Sequence, residues 1–193
     1  MSESAARNEW EGRHRGREAG GTPEPFVAET LPILPRNGIA LDVAAGGGRH
    51  CFALAQHGLK VIAIDYSQEA MGALGNAVQD RSATIWPVVA DLDRFSVRAE
   101  TFDLILNVNY LDRALVPRLI VALKPNGMLL ADTFLVDQAE IGHPRNPKFL
   151  LEHYELRDLL KGLAIVRYRE GLTIYADGTR AWRGSALAIK RDA

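Results

Sequence analysis

Residues 38–50 read GIALDVAAGGGRH, and residues 61–67 answer them with VIAIDYS. The first stretch opens on a short apolar run, 39–43, too brief for a helix and branched enough for a buried strand. It stops at small residues, 44–48, and then takes on helical spacing through Cys51, Phe52, Leu54 and Ala55. A strand that turns through glycines into a helix brings backbone N–H groups and the helix N-terminus toward whatever lies above the turn. The second stretch is again a buried strand and ends on Asp65, 17 residues after Gly48. A carboxylate at that place can accept both hydroxyls of a ribose. The two stretches together point to a nucleoside cofactor; a βαβ unit with a glycine-rich turn and no ligand is the plainer alternative.

A dinucleotide fingerprint asks for three glycines spaced G-x-G-x-x-G, so that a pyrophosphate can lie against the backbone. Here the turn offers Gly46 and Gly48, with Cys51 where the third glycine would stand. A nicotinamide-dependent reductase therefore fits poorly at Ala44 and Arg49. The pattern resembles instead the first motif of class I S-adenosylmethionine-dependent methyltransferases, acid-x-Gly-x-Gly-x-Gly, with Asp42 as the acid and Ala44 in place of the first glycine. The resemblance implies that the turn packs on the methionine part of the cofactor, that Asp42 helps hold its amino group and that Asp65 takes the ribose. Further along, Asp91 with the neighbouring Leu92 matches the place where the family reads adenine. Lys124-Pro125-Asn126-Gly127 before an apolar strand is similar to the family's Lys-Pro-Gly-Gly turn. The cofactor-binding set that follows is Asp42, Ala44, Gly46, Gly48, Asp65, Tyr66, Asp91, Leu92 and Asn107. The last part of the chain looks like the tellurite-resistance and thiopurine-type small-molecule branch.

Outward from this centre the chain alternates strand and helix. Residues 26–34, closed by Pro35 and Gly38, predict an amphipathic helix. Gly58 caps the helix after the glycine turn, and Ser67 caps the next one. Residues 83–89 predict a third strand, in which Pro87 suits the sheet edge. Strands follow over 101–108, 128–134, 163–168 and 181–190, the last two joined by a turn at Asp177-Gly178. Helices are expected near 117–123 and 152–161, and an irregular loop over 136–150. The fold class is thus α/β, a doubly wound, Rossmann-like sheet of seven strands, mostly parallel with the last antiparallel.

The polar first 22 residues, with four Arg and four Glu, read as an arm ahead of a single domain over 23–193. Trp10 and Arg13 within it resemble a Trp-x-x-Arg opening that folds over the cofactor, so the arm is a candidate lid. On the acceptor side the candidates are Asn109, Tyr110, His143 and Arg145. Residues 107–110 read Asn-Val-Asn-Tyr and lack the two prolines of the Asn-Pro-Pro-Tyr motif that places base amino groups, which disfavours a nucleobase acceptor. No Ser/His/Asp set or paired acid centre is evident, and none is needed to move an already activated methyl group.

Composition bounds the rest. A net charge of −1 provides no global field toward nucleic acid or anionic membrane. No apolar run approaches the roughly 20 residues of a membrane span, and the first residues lack a signal peptide's apolar core. The single cysteine, Cys51, leaves no internal disulfide or cysteine-based metal cluster. The expectation is a cytoplasmic methyltransferase of a small molecule, using S-adenosyl-L-methionine and releasing S-adenosyl-L-homocysteine; a non-catalytic module that binds this cofactor remains the alternative.

Overall fold

The computed structural model describes residues 19–81, 83–94 and 96–192. Trp10 and Arg13, and with them the expected lid, lie outside the described residues. Seven strands run in the order β3-β2-β1-β4-β5-β7-β6. The chain divides into two compact units, Met1–Ser96 and Val97–Ala193.

In the first unit, α1 (Pro25–Thr30) starts with a proline at its first helical position, where the missing N–H has no partner to lose. It tightens into a 3-10 turn, Leu31–Ile33, so the expected single helix over 26–34 is two shorter pieces. β1 (Ile39–Val43) and β2 (Lys60–Asp65) pair in parallel, Asp42 opposite Ala63. Leu41, Val43, Val61 and Ala63 are all fully buried, as continuous apolar runs in a covered parallel sheet should be. α2 (Arg49–Gln56) and α3 (Gln68–Arg81) are the crossovers. Ser67 Oγ accepts from Ala70 N–H at 3.1 Å, the expected N-cap. β3 (Ile85–Val89) begins two residues later than expected and ends the sheet on that side. Val61 N–H donates to Thr84 O and Ala90 N–H to Asp65 O. This parity turns the even-numbered groups of β3 toward β2, so the nitrogen of Pro87 faces outward, where no ladder bond is missed.

In the second unit, β4 (Phe102–Val108) and β5 (Leu123–Phe134) pair in parallel with a register break between Phe102 and Leu104. β5 starts earlier than the expected 128 because Lys124 to Gly127 forms part of the strand. Asn126 N–H donates to Lys190 O, and Lys190 N–H to Gly127 O. α4 (Val116–Ala122) connects the two strands. The expected irregular loop over 136–150 carries a short helix, α5 (Gln138–Ile141), and a 3-10 turn, Pro147–Phe149. The helix expected over 152–161 shrinks to α6 (Glu155–Leu159). β6 (Ala164–Ile174) and β7 (Arg180–Ile189) form a long hairpin, closed by Asp177 Oδ1 accepting from Thr179 N–H at 2.9 Å. β7 runs antiparallel to both β5 and β6, so it alone departs from the sheet's common direction.

Candidate cofactor site

The turn after β1 is built from backbone that side chains resist. Gly46 and Gly48 have φ of 53° and 73°. A Cβ on Gly48 would sit 2.6 Å from Leu74 Cδ1, so a larger residue there would displace the Leu74 side chain as well as strain the backbone. Ala44 also has a positive φ, 53°. It thus takes the conformation of the glycine it replaces in the family motif, at a cost of about 1–2 kcal/mol. Strain of this kind persists where the surroundings over-determine it.

Asp65 is what determines it. Its Oδ2 accepts from Gly46 N–H at 2.8 Å and its Oδ1 from Ser67 N–H at 2.8 Å. One carboxylate at the end of β2 therefore fixes both the glycine turn and the entry to α3. A carboxylate offers about four lone-pair sites, so acceptor capacity remains after these two bonds. Tyr66, beside it, is half-buried.

Asp42 lies deeper, 1% exposed. Its Oδ2 receives the Cys51 Sγ–H at 3.1 Å. Burial pushes the Asp42 carboxyl up to about 7, against the lowering effects of the Cys51 bond and of Arg49. Burial likewise holds the Cys51 thiol well above its usual range, so it stays a protonated donor. Arg49 itself is committed to Glu24, NH2 to Oε1 at 2.7 Å. Gly20 N–H donates to Gly47 O at 2.7 Å, which lays the segment before α1 directly against the glycine turn. The sequence reading missed both of these ties, because they join residues 25 or more positions apart with no spacing signature.

Asp91 is half-buried and its Oδ1 accepts from Asp93 N–H at 3.0 Å, capping a 3-10 turn at Leu92–Arg94. Leu92 is buried.

In the second unit, Asn107, next to last in β4, has its side chain buried and its Oδ1 without a hydrogen-bond partner. An orphaned buried carbonyl is costly unless something donates to it. Asn109, with φ of 60°, presents Oδ1 to Arg183 NH1 at 2.6 Å. Tyr110 is half-buried. His143 and Arg145 are both exposed; His143 O accepts from Gln138 Nε2 at 3.0 Å, and Arg145 Nε donates to Gly142 O at 3.3 Å. A different histidine is the one held in place. His153 Nε2 lies 2.8 Å from Asp137 Oδ2, an ion contact without hydrogen-bond alignment, and its Nδ1 lies 3.2 Å from Glu170 Oε2. The bond to Glu170, then the charge of Asp137, raise its pKa. Among the described residues no helix is long and apolar enough to cross a membrane.

A parallel α/β sheet with a strained glycine turn after its first strand, braced by an acid ending the second, defines a nucleotide-type cofactor protein. Residues 40–127 match the methyltransferase domain family. TehB from Haemophilus influenzae superposes with a TM-score of 0.76 at 16% identity, over 88% of this chain. The chain spans 63% of the length of that TehB chain. A SAM-dependent methyltransferase from Methanosarcina mazei gives 0.72 at 17% identity, over 90% of this chain and 100% of its own. The [4+2]-cyclase SpnF gives 0.70 at 15%, over 98% and 93%. At these identities the likeness is one of fold. No curated protein sequence matches the chain. With its seven-stranded sheet and the methyltransferase domain matched over residues 40–127, the chain has the fold of the S-adenosylmethionine-dependent methyltransferases.

Proposed function

We propose that the chain transfers the methyl group of S-adenosylmethionine to a small-molecule acceptor. The observation that carries this reading is the Asp65 carboxylate bonded to Gly46 N–H at 2.8 Å. It joins the acid fit for ribose hydroxyls to the turn fit for the amino-acid end. The residues suit the cofactor on two counts. Gly46 and Gly48 shape the turn through their positive φ, and Asp65 keeps spare acceptor capacity.

The bound cofactor supplies an activated methyl on its sulfonium, so alignment for in-line displacement is the protein's main task. In this reading Asp65 and Asp42 hold the two ends of the cofactor, and Asp91 with Leu92 meets its base. Tyr110 and Asn109 are our candidates on the acceptor side, Asn109 fixed by Arg183. A proton acceptor is required only if the acceptor atom carries a proton at the start; His143, with Arg145 beside it, is our candidate for that role. Val108 and Asn109, where the Asn-Pro-Pro-Tyr motif has its two prolines, disfavour a nucleobase acceptor.

The test is incubation with methyl-labelled cofactor and a cell extract separated by size. Label in the low-mass fraction supports the proposal. Label in protein or nucleic acid would reassign the acceptor, and cofactor binding with no labelled product would make the chain a binding module.

A further inference from the structure

Cys51 is the chain's single cysteine, fully buried, and the transfer reaction gives it no task. It nevertheless points its thiol at Asp42, the acid of the glycine-turn motif, 3.1 Å from Oδ2. The titratable groups acting on Asp42 come from two elements, α2 and β2. Arg49 begins α2 but is drawn off by Glu24 at 2.7 Å. Asp65, at the end of β2, adds a second negative charge. Cys51, also on α2, is the hydrogen-bond donor that Asp42 receives. His50, the remaining titratable group of that turn, is turned away: its Nε2 faces Glu24 N–H at 3.4 Å. A carboxyl that is 1% exposed, beside another carboxylate and with its nearest cation diverted, holds a proton more readily than a surface acid.

We propose that Cys51 is a positioning residue of the cofactor site, whose thiol sets the proton occupancy of Asp42 so that cofactor loading expels a proton from Asp42 to solvent. The inference rests on the cofactor reading above. The ammonium of the cofactor's amino-acid end brings positive charge to a site where the carboxyl is otherwise partly neutral, and an adjacent cation favours the carboxylate. The proton leaves to bulk buffer; no bond other than O–H is broken. A thiol is a weak donor, so it stabilises the carboxylate only partly and leaves the site poised near neutrality. Alanine at 51 would remove that donor and hold the proton longer. Serine, a stronger donor of similar shape, would release it sooner.

Calorimetric titration of the full chain with S-adenosylhomocysteine, in two buffers of different ionisation enthalpy, counts the protons. With the Asp42 carboxyl raised to about 7, wild type should release a measurable fraction of a proton near pH 6.5. Cys51→Ala should release closer to one, bind several-fold more weakly near pH 7, and gain affinity up to a higher pH than wild type. Cys51→Ser should restore or lower the wild-type count, and it carries the comparison if the alanine variant folds poorly. Asp42→Asn should bind without releasing a proton. Binding by wild type with no proton exchange overturns the proposal. So do proton counts and pH–affinity profiles that coincide in wild type, Cys51→Ala and Cys51→Ser, which would leave Cys51 a packing residue. Absence of any binding is a separate result and would overturn the cofactor reading as well.

Discussion

Arg183 Nε meets Asp132 Oδ1 at 3.1 Å, with the two side chains only 2% and 3% exposed. In the β5–β7 ladder Arg183 pairs with Phe134 and Ser185 with Asp132, so the two charges are diagonal neighbours on one face of the sheet. Arg183 also reaches Asp132 O at 3.1 Å and stacks on the Phe134 ring at 4.4 Å, while Ser185 Oγ donates to Asp132 Oδ1 at 2.9 Å. Buried charges held this fully are costly to separate. Asp132→Ala alone should lose about 3–5 kcal/mol of stability in urea unfolding. The pair Asp132→Leu with Arg183→Met should recover most of it. A double variant as unstable as the single one would show that the ion pair itself stabilises the fold.

S-adenosylhomocysteine and NADH separate the methyltransferase from the reductase that its glycine turn half resembles. At 100 times its Kd a native-state ligand adds about 2.7 kcal/mol. For a chain of this length that is a Tm rise on the order of 5–10 °C. The rise should appear with S-adenosylhomocysteine and not with NADH in a thermal melt, and the opposite pattern would remove the family's cofactor from this site.

Asp65 serves both fold and ligand, so its replacement should be felt twice. Asp65→Ala leaves the Gly46 and Ser67 N–H groups unpaired, at about 1–3 kcal/mol for each buried donor. The same change removes the ribose acceptor and should weaken cofactor binding at least tenfold. Calorimetry and urea unfolding on the same variant test this together; loss of stability with affinity intact would place the ribose elsewhere.

His153 should make stability depend on pH. Its folded-state pKa is raised, first by the bond to Glu170 and then by Asp137. A raised histidine contributes fully below its unfolded value of about 6.5. That contribution is lost as pH rises through the higher folded value. Side-chain exposure of 47% keeps the effect small. The fall in Tm between acidic and alkaline buffer should be smaller in His153→Gln than in wild type, and an unchanged fall would assign it to other groups.

Gly72 and Gly75 lie inside α3, and a Cβ on either would meet nothing within 4 Å. Alanine at each should add about 0.5–1 kcal/mol by restricting the unfolded chain. Urea midpoints measure this directly; a decrease would mean that the two faces are covered by something.

Much of this architecture is legible in the sequence because a doubly covered parallel strand can be little else. The runs at 39–43 and 102–108 are apolar on both faces and too short for buried helices, and glycines punctuate them where the chain must reverse. The long hairpin was underestimated at β6 because YREGLTI mixes polar and apolar residues on a half-exposed edge, where burial imposes no strict pattern. Asn126 reads as part of a turn that ends before the strand; its N–H donates to Lys190 O, which no local signal announces. The acid-and-glycine frame of the cofactor site shows in the motif spacing. What sets its chemistry, Cys51 on Asp42 and Glu24 on Arg49, joins residues that only the strand–turn–helix geometry brings together. His153 has no local signature for the same reason, its two carboxylate partners lying 16 and 17 positions away on either side.

Pro87, on the outer rim of β3, has a consequence for how copies of this protein behave when crowded. Trp86, Val88 and Val89 are 51%, 40% and 48% exposed around it, a greasy fringe on an open strand of the kind that recruits a neighbour's backbone. Strand addition would need an outward N–H at the centre of that rim, and proline has none to give. One imino acid thereby interrupts the template, and the fringe is left without the ladder that could turn a passing encounter into a growing fibre.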